Sequence, residues 1–291
     1  MNTQKLLKLQ NFSFKLNLQN KQIFSFSAVE LLEKDRVAYI TLNNAKKRNP
    51  LQLEVIKELG EKLEILKQSY ENRNKNLKNF PKCIVIKSEG PVFSAGHDLK
   101  EVNKNSKQEN YALFNKCSQV MAGIQKHPLP VVASVQGLAT AAGCQLVAAC
   151  DMAVGTESSR YQTPGIKIGL FCTTPAVSLI RSLSSKKKAM EMLCTGDPIS
   201  AQEAYNLGLI NQIVKDDKLE EETLEFVKRI IVHSSETIAL GKQAFYKQSA
   251  MENLDEAYGY ATEKMVENLQ QEDCKEGIQS FVEKRHPHFK Y

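Results

Sequence analysis

Residues 130–151 read P-V-V-A-S-V-Q-G-L-A-T-A-A-G-C-Q-L-V-A-A-C-D. Val131 to Val135 is β-branched and apolar, as in a buried strand. Pro128 and Pro130 end the helix before it, because proline lacks an N–H donor and restricts the residue that precedes it. From Gly137 to Ala149 almost every residue is small, and Cys150-Asp151-Met152-Ala153-Val154 suggests another short strand. Small residues at a helix start leave its first N–H groups open. Those donors, with the helix dipole, favour developing negative charge. A buried helix packed tightly against its neighbours needs the same small residues, so this segment alone leaves both readings open.

Outward from this stretch the same grammar recurs. Val37–Leu42 reads as a strand. Over residues 51–67, Leu51, Val55, Leu59, Leu63 and Leu66 fall at three- and four-residue steps, an amphipathic helix. The polar stretch 70–80 reads as a loop, and Ile84-Val85-Ile86 as a buried strand closed by Ser88-Glu89-Gly90-Pro91. A polar segment, 101–110, precedes a helix from about 111 to 126. Strand, loop, helix and strand recur three times by residue 154, which argues for an α/β domain and against an all-β sandwich. Ser200-Ala201-Gln202-Glu203 has the capping-box pattern, and Gly208 stands where a helix would close. Ile210–Val214 returns to strand character. Helical patterns then cover Leu219–Val232, Glu236–Ser249 and Leu254–Asp273. The expected organisation is an N-terminal segment at 1–28, an α/β core at 29–217 and a helical region at 218–291.

The 291 residues, 42% hydrophobic and 25% charged, have the balance of a folded globular protein. No stretch approaches the roughly 18 apolar residues of a membrane helix. Net charge is +6, but residues 1–29 carry Lys5, Lys8, Lys15 and Lys21 with no acid, so the remainder is near +2. That body does not look like a nucleic-acid binder. The acid-free N-terminus, which mixes Lys with Leu, Phe and Ser, suits a mitochondrial targeting segment. It lacks Arg and is rich in Asn and Gln, so a disordered cytosolic tail is the alternative. The seven cysteines are odd in number, form no C-x-x-C pair and lie partly in apolar runs. They read as small buried hydrophobes, not as a disulfide framework or a metal site.

A second segment, V-F-S-A-G-H-D-L-K (92–100), ends a strand and places the small pair Ala95-Gly96 before Asp98, which can cap the next helix. Alone it is a tight turn. Beside the 137–149 segment it suggests more: two main-chain N–H donors from separate loops converging on one carbonyl oxygen, an oxyanion hole suited to a thioester enolate.

The motifs A-K-K-R-N-P-L (45–51), F-S-A-G-H-D-L-K-E (93–101), the 130–151 stretch, P-G-I-K-I-G-L (164–170), T-G-D-P-I-S-A-Q-E-A-Y-N-L-G-L-I-N-Q-I-V (195–214) and F-V-E-K-R-H-P-H-F (281–289) occur in this order. With them the chain resembles the crotonase superfamily, the enoyl-CoA hydratases and isomerases, over about residues 29–289. The resemblance implies a spiral core of β-β-α turns, followed by helices used in assembly of a homotrimer or dimer of trimers. It also implies a mitochondrial matrix protein acting on an acyl-CoA or enoyl-CoA thioester in fatty-acid metabolism, with coenzyme A as part of the substrate and no separate cofactor. By matched position the oxyanion donors would be the N–H groups of Ala95 and Ala142. The segment Ala95-Gly96-His97-Asp98 would line the thioester and pantetheine. Lys47, Arg48, Lys284 and Arg285 would meet the CoA phosphates.

The chain departs from that family at two positions. Hydratases of the family move water's protons with two glutamates, and here those positions are Gln145 and Gly165. A neutral amide is no acid or base near pH 7 and glycine has no side chain. Ordinary hydration is therefore expected to be weak or absent. His97 lies in the pocket segment and titrates near neutrality, so it is a candidate proton carrier. Cys144, Tyr161 and Cys172 fall on pocket-forming segments, and Gln145 could orient a water. Two expectations stand side by side: an enzyme using a hydratase-like, hydrolytic or decarboxylative variant, and a catalytically inactive thioester-binding or assembly subunit.

Overall fold

The computed structural model describes residues 27–75 and 80–291, so all but the last two residues of the expected targeting segment lie outside the described residues. The chain runs β1 (Val29–Lys34), β2 (Val37–Leu42), α1 (Leu53–Glu71), β3 (Cys83–Ser88), α2 (Leu99–Lys104), α3 (Lys107–Lys126), β4 (Val131–Val135), β5 (Leu138–Thr140), α4 (Ala142–Ala149), β6 (Met152–Thr156) and β7 (Arg160–Gln162). It continues through α5 (Thr173–Ser182), α6 (Lys186–Thr195), β8 (Ile199–Ser200), α7 (Ala201–Asn206), β9 (Gln212–Val214), α8 (Leu219–Ile231), α9 (Ser235–Gln248), α10 (Leu254–Gln270) and α11 (Glu272–Val282).

Six strands form one sheet in the order β1-β2-β3-β4-β6-β9, parallel except for the β1–β2 hairpin. A smaller sheet has the order β5-β7-β8. Cys83-Ile84-Val85-Ile86 is apolar without alternation because both sheet faces are covered. Ile84 and Ile86 join the main core with α1 and α3, while Cys83 and Val85 join a second cluster roofed by Val227 of α8.

The sequence reading places most elements within a few residues. The structure adds β1, α2, β5, α5, α6, β7 and β8, and splits the expected 254–273 helix at Gln271. Gln271 is extended, and the buried Asp273 after it accepts the Lys290 and Tyr291 N–H groups at 2.6 and 3.1 Å. That bond pattern is tertiary and leaves no periodic trace. Helix α3 starts at Lys107 because Ser106 and Glu109 form a reciprocal capping box.

The C-terminal helices are tied to the core by a buried ion pair. Lys242 Nζ of α9 lies 2.6 Å from Asp151 Oδ2 and donates to the Ile124 and Leu129 carbonyls at 2.9 Å each. Asp151 also accepts from Val131 N–H at 2.7 Å and from the Tyr246 hydroxyl at 2.8 Å. Burial raises the Asp151 carboxyl and lowers the Lys242 ammonium, and in each case their mutual attraction opposes the shift.

Candidate functional site

The sheet topology brings the two glycine-containing segments together. Val92 bridges Gly137, and Ser94 bridges Ala139. Ser94 N–H donates to Leu138 O at 3.2 Å, and Thr140 N–H donates to Ser94 O at 3.0 Å. Glycine makes the closest approaches possible. A Cβ on Gly143 would lie 2.6 Å from Ser94 O. Gly96 has φ +76°, and a Cβ there would meet Thr140 O at 2.8 Å and Ala142 N at 3.1 Å.

Helix α4 begins in an unusual way. Its N-cap, Ala141, has φ 50° and ψ −116° and makes no side-chain cap. That conformation is costly for a residue with a Cβ, by about 1–3 kcal/mol, and recurs at ligand sites. The Ala141 N–H is held by Gln162 O at 2.9 Å, while the Ala142 N–H makes no hydrogen bond among the described residues.

The opposing loop corrects one expectation. Ala95 N–H is not available, because it donates to Arg48 O at 2.9 Å. Gly96 N–H donates to Ser94 Oγ at 3.2 Å. The amide in this loop with no hydrogen bond among the described residues is that of His97. The free N–H groups brought together are therefore those of His97 and Ala142. Gly96, at φ +76°, turns the chain between the two residues, so the Ala95 amide is spent on the Arg48 carbonyl while the next free one is that of His97.

The His97 ring is fixed. Nδ1 lies 2.8 Å from Leu51 O, and the ring packs edge-on against Phe114 with centroids 5.0 Å apart. A carbonyl can only accept, so Nδ1 carries the proton and Nε2 presents a lone pair. Nε2 is buried and unpaired among the described residues. Burial lowers the His97 pKa and keeps the ring neutral near pH 7, and the Leu51 bond opposes that shift. Asp98 caps α2, accepting from Lys100 N–H at 2.9 Å and from Gln52 Nε2 at 3.0 Å, so its carboxylate is occupied.

Gln145 is 2% exposed, and its Oε1 has no partner among the described residues. Thr140 Oγ1 and Glu101 Oε2 are likewise buried and unpaired. Four such atoms therefore fall on the two site segments, whereas buried polar groups are ordinarily satisfied. The Glu101 carboxylate also accepts from Leu53 N–H through Oε1 at 3.3 Å, at the start of α1.

Gly165 is not an empty slot. A Cβ there would lie 2.2 Å from Leu170 O and 2.8 Å from Cys172 Sγ. The turn at Pro164–Ile168 folds back so that Leu170 N–H donates to Gly165 O at 2.9 Å. Main chain fills the space that a side chain at position 165 would need. Burial raises the thiols of Cys144, to about 12, and of Cys172. The Tyr161 hydroxyl is buried and bonded to Ser159 Oγ at 3.0 Å. None of these three is poised to carry a proton at neutral pH.

Lys47 and Arg48 are exposed on a short turn. The Arg48 carbonyl docks that turn on the Ala95 amide. Sequence reasoning missed the residue that builds the turn. Asn49 is buried at φ 50°, donates through Nδ2 to Glu89 O and Val92 O at 2.9 and 2.8 Å, and accepts from Asn44 N–H at 2.8 Å. Asparagine's tolerance of left-handed φ, between Arg and Pro, was the available signal. At the other end Arg285, just past α11, is committed to carboxylates of α11 and its C-cap. It contacts both oxygens of Glu276 at 2.6 and 2.9 Å and Glu283 at 2.6 Å. Among the described residues no hydrogen bond joins Lys284 or Arg285 to the 47–51 or 94–98 loops.

A parallel-sheet core with two main chains meeting at a thin-walled helix start defines a class, and comparison agrees with it. The chain belongs to the enoyl-CoA hydratase/isomerase family, whose profile matches residues 33–291. It is 47% identical over 256 residues to the enoyl-CoA hydratase domain-containing protein 3, mitochondrial, of Mus musculus, covering 88% of this chain and 82% of that one. The protein of the same name from Danio rerio is 41% identical over 284 residues, covering 97% and 94%. Among solved structures, human enoyl-CoA hydratase domain-containing protein 3 matches with a TM-score of 0.81 at 43% identity, covering 90% of this chain and 100% of that one. An enoyl-CoA hydratase of Mycobacterium smegmatis matches with a TM-score of 0.84 at 37% identity, covering 91% and 99%. The fold is thus the α/β crotonase fold. No helix of the described residues is long and apolar enough to cross a membrane.

Proposed function

We propose that this chain is an acyl-CoA or enoyl-CoA thioester-binding protein of mitochondrial fatty-acid metabolism. Its oxyanion hole is the pair of N–H groups of His97 and Ala142. The carrying observation is that both amides are unpaired on main chains that approach so closely that a Cβ at Gly96 would touch Ala142 N. Lys47 and Arg48, exposed beside the same loop, are placed to meet CoA phosphates, and Gly96, His97 and Asp98 line the thioester. The relatives' mitochondrial names and the acid-free N-terminus support a matrix location. Helix α10 buries no residue, and Tyr258, Met265 and, on α11, Phe281 stand 67%, 65% and 84% exposed. Those faces support the expectation that the helical region 218–291 assembles a homotrimer or a dimer of trimers.

Calorimetry with butyryl-CoA tests the site. The wild type should bind. Gly96→Ala should weaken binding by at least about tenfold, because the new methyl displaces the Ala142 amide by several tenths of an ångström. Unchanged affinity in that variant would remove the amide pair from the site.

Ordinary hydration requires groups this site lacks. Crotonyl-CoA hydration by the wild type should fall roughly 10²–10⁴-fold below a two-glutamate hydratase. Gln145→Glu alone should not restore it, since main chain fills the second position. Turnover by the wild type at an ordinary enzyme rate would refute this. The catalytically inactive binding subunit is the second reading, favoured by that same filled position at Gly165.

A further inference from the structure

The site has lost its family carboxylates and yet keeps a buried, unpaired base. We infer that His97 Nε2 removes the proton α to the thioester carbonyl, an inference that rests on the thioester reading above and assigns it a reaction. Four observations converge on this atom. The Leu51 carbonyl fixes the tautomer, leaving the lone pair on Nε2. Phe114 fixes the ring plane, with an interplanar angle of 89°. Nε2 is buried with no partner among the described residues. The residue that carries it also presents one of the two free amides.

Most other groups nearby do not compete. Gln145 Oε1 is an acceptor without useful basicity. Cys144 and Cys172 are held as thiols by burial. The Tyr161 hydroxyl is spent on Ser159. Glu101 is the rival base on these segments: its Oε1 accepts from Leu53 N–H at 3.3 Å and its Oε2 is unpaired among the described residues, so the experiment below separates the two.

The step balances without a further reactant. The Cα–H bond breaks and its proton passes to Nε2, giving an imidazolium whose Nδ1–H stays on Leu51 O. The bonding pair forms the enolate C=C, and the carbonyl π pair moves to oxygen, where the two amides hold it. In the reverse direction the imidazolium returns a proton or, in D2O, a deuteron.

The experiment is incorporation of deuterium at the α carbon of butyryl-CoA in D2O, followed by NMR, with calorimetry on the same samples. The wild type should exchange. His97→Asn keeps an N–H for Leu51 O in place of Nδ1 but has no base, and His97→Gln puts an amide near the Nε2 position. Both keep the main-chain N–H at position 97 and, at saturating butyryl-CoA, should lose exchange by at least about 100-fold, the usual worth of a positioned base. Glu101→Gln should retain exchange. A wild type that binds but does not exchange overturns the inference and leaves the binding reading intact. Exchange that survives in either folded His97 variant, or that disappears in Glu101→Gln alone, also overturns it. A wild type that does not bind butyryl-CoA overturns both.

Discussion

Gly165→Glu, the substitution that would nominally rebuild the second family carboxylate, will destabilise this protein and restore no hydration. Even Gly165→Ala should cost about 3 kcal/mol, the upper range for overpacking, because its Cβ would lie 2.2 Å from the Leu170 carbonyl oxygen. Main chain cannot rotate aside as a side-chain tip can. Making room requires breaking the Leu170 N–H bond to Gly165 O and reopening the turn before Gly169, which sits at φ +75°. The entropy that alanine removes from the unfolded chain, about 0.4–1 kcal/mol, is too small to offset this. Urea unfolding of the Ala variant measures the effect. An unchanged midpoint would show that the 165–172 segment yields easily and that the carboxylate position is open after all.

Lys242→Met should be at least as damaging. The substitution keeps an unbranched stem but strands the Asp151 carboxylate, which is 11% exposed, and frees the Ile124 and Leu129 carbonyls. Breaking one side of a buried pair typically costs about 3–5 kcal/mol, because the partner charge stays desolvated. For a chain of this size that corresponds to a melting point lower by roughly 10 °C. Scanning calorimetry of wild type and variant reads it directly, and a shift within error would mean that Asp151 accepts protonation at little cost. The effect should spread beyond the pair, since Val131 N–H and Tyr246 hang on the same carboxylate and join β4 to α9.

Part of the candidate site was legible in residue types. The small-residue run at 137–149 gave a helix start with free amides, and Asp98 was recognisable as a cap. The absence of acids at 145 and 165 is a matter of composition and needs no coordinates. What misled was the turn at Gly96, φ +76°: only the bond from Ala95 N–H to Arg48 O shows which amide of the loop is already spent. A basic residue in the sequence carries no mark of whether a carboxylate will engage it, as Glu276 engages Arg285.

Secondary structure followed the same division. The buried strands at 37–42, 84–86 and 131–135 and the amphipathic helix from residue 53 are written in period and β-branching. The short β7 and β8 exist because partners distant in the chain satisfy their backbone groups, and after the break at Gln271 the Asp273 carboxylate receives the distant Lys290 and Tyr291 N–H groups.

By itself the sequence determined the α/β class, the buried strands, the glycine at 96 that permits close approach and the lack of a carboxylate at positions 145 and 165. These depend on local periodicity, side-chain size and chemical type. Only the tertiary structure decided that the free amides are those of His97 and Ala142, that the His97 lone pair is on Nε2 and that main chain fills the space at Gly165. Each depends on which backbone group far along the chain has already claimed a hydrogen bond or a volume.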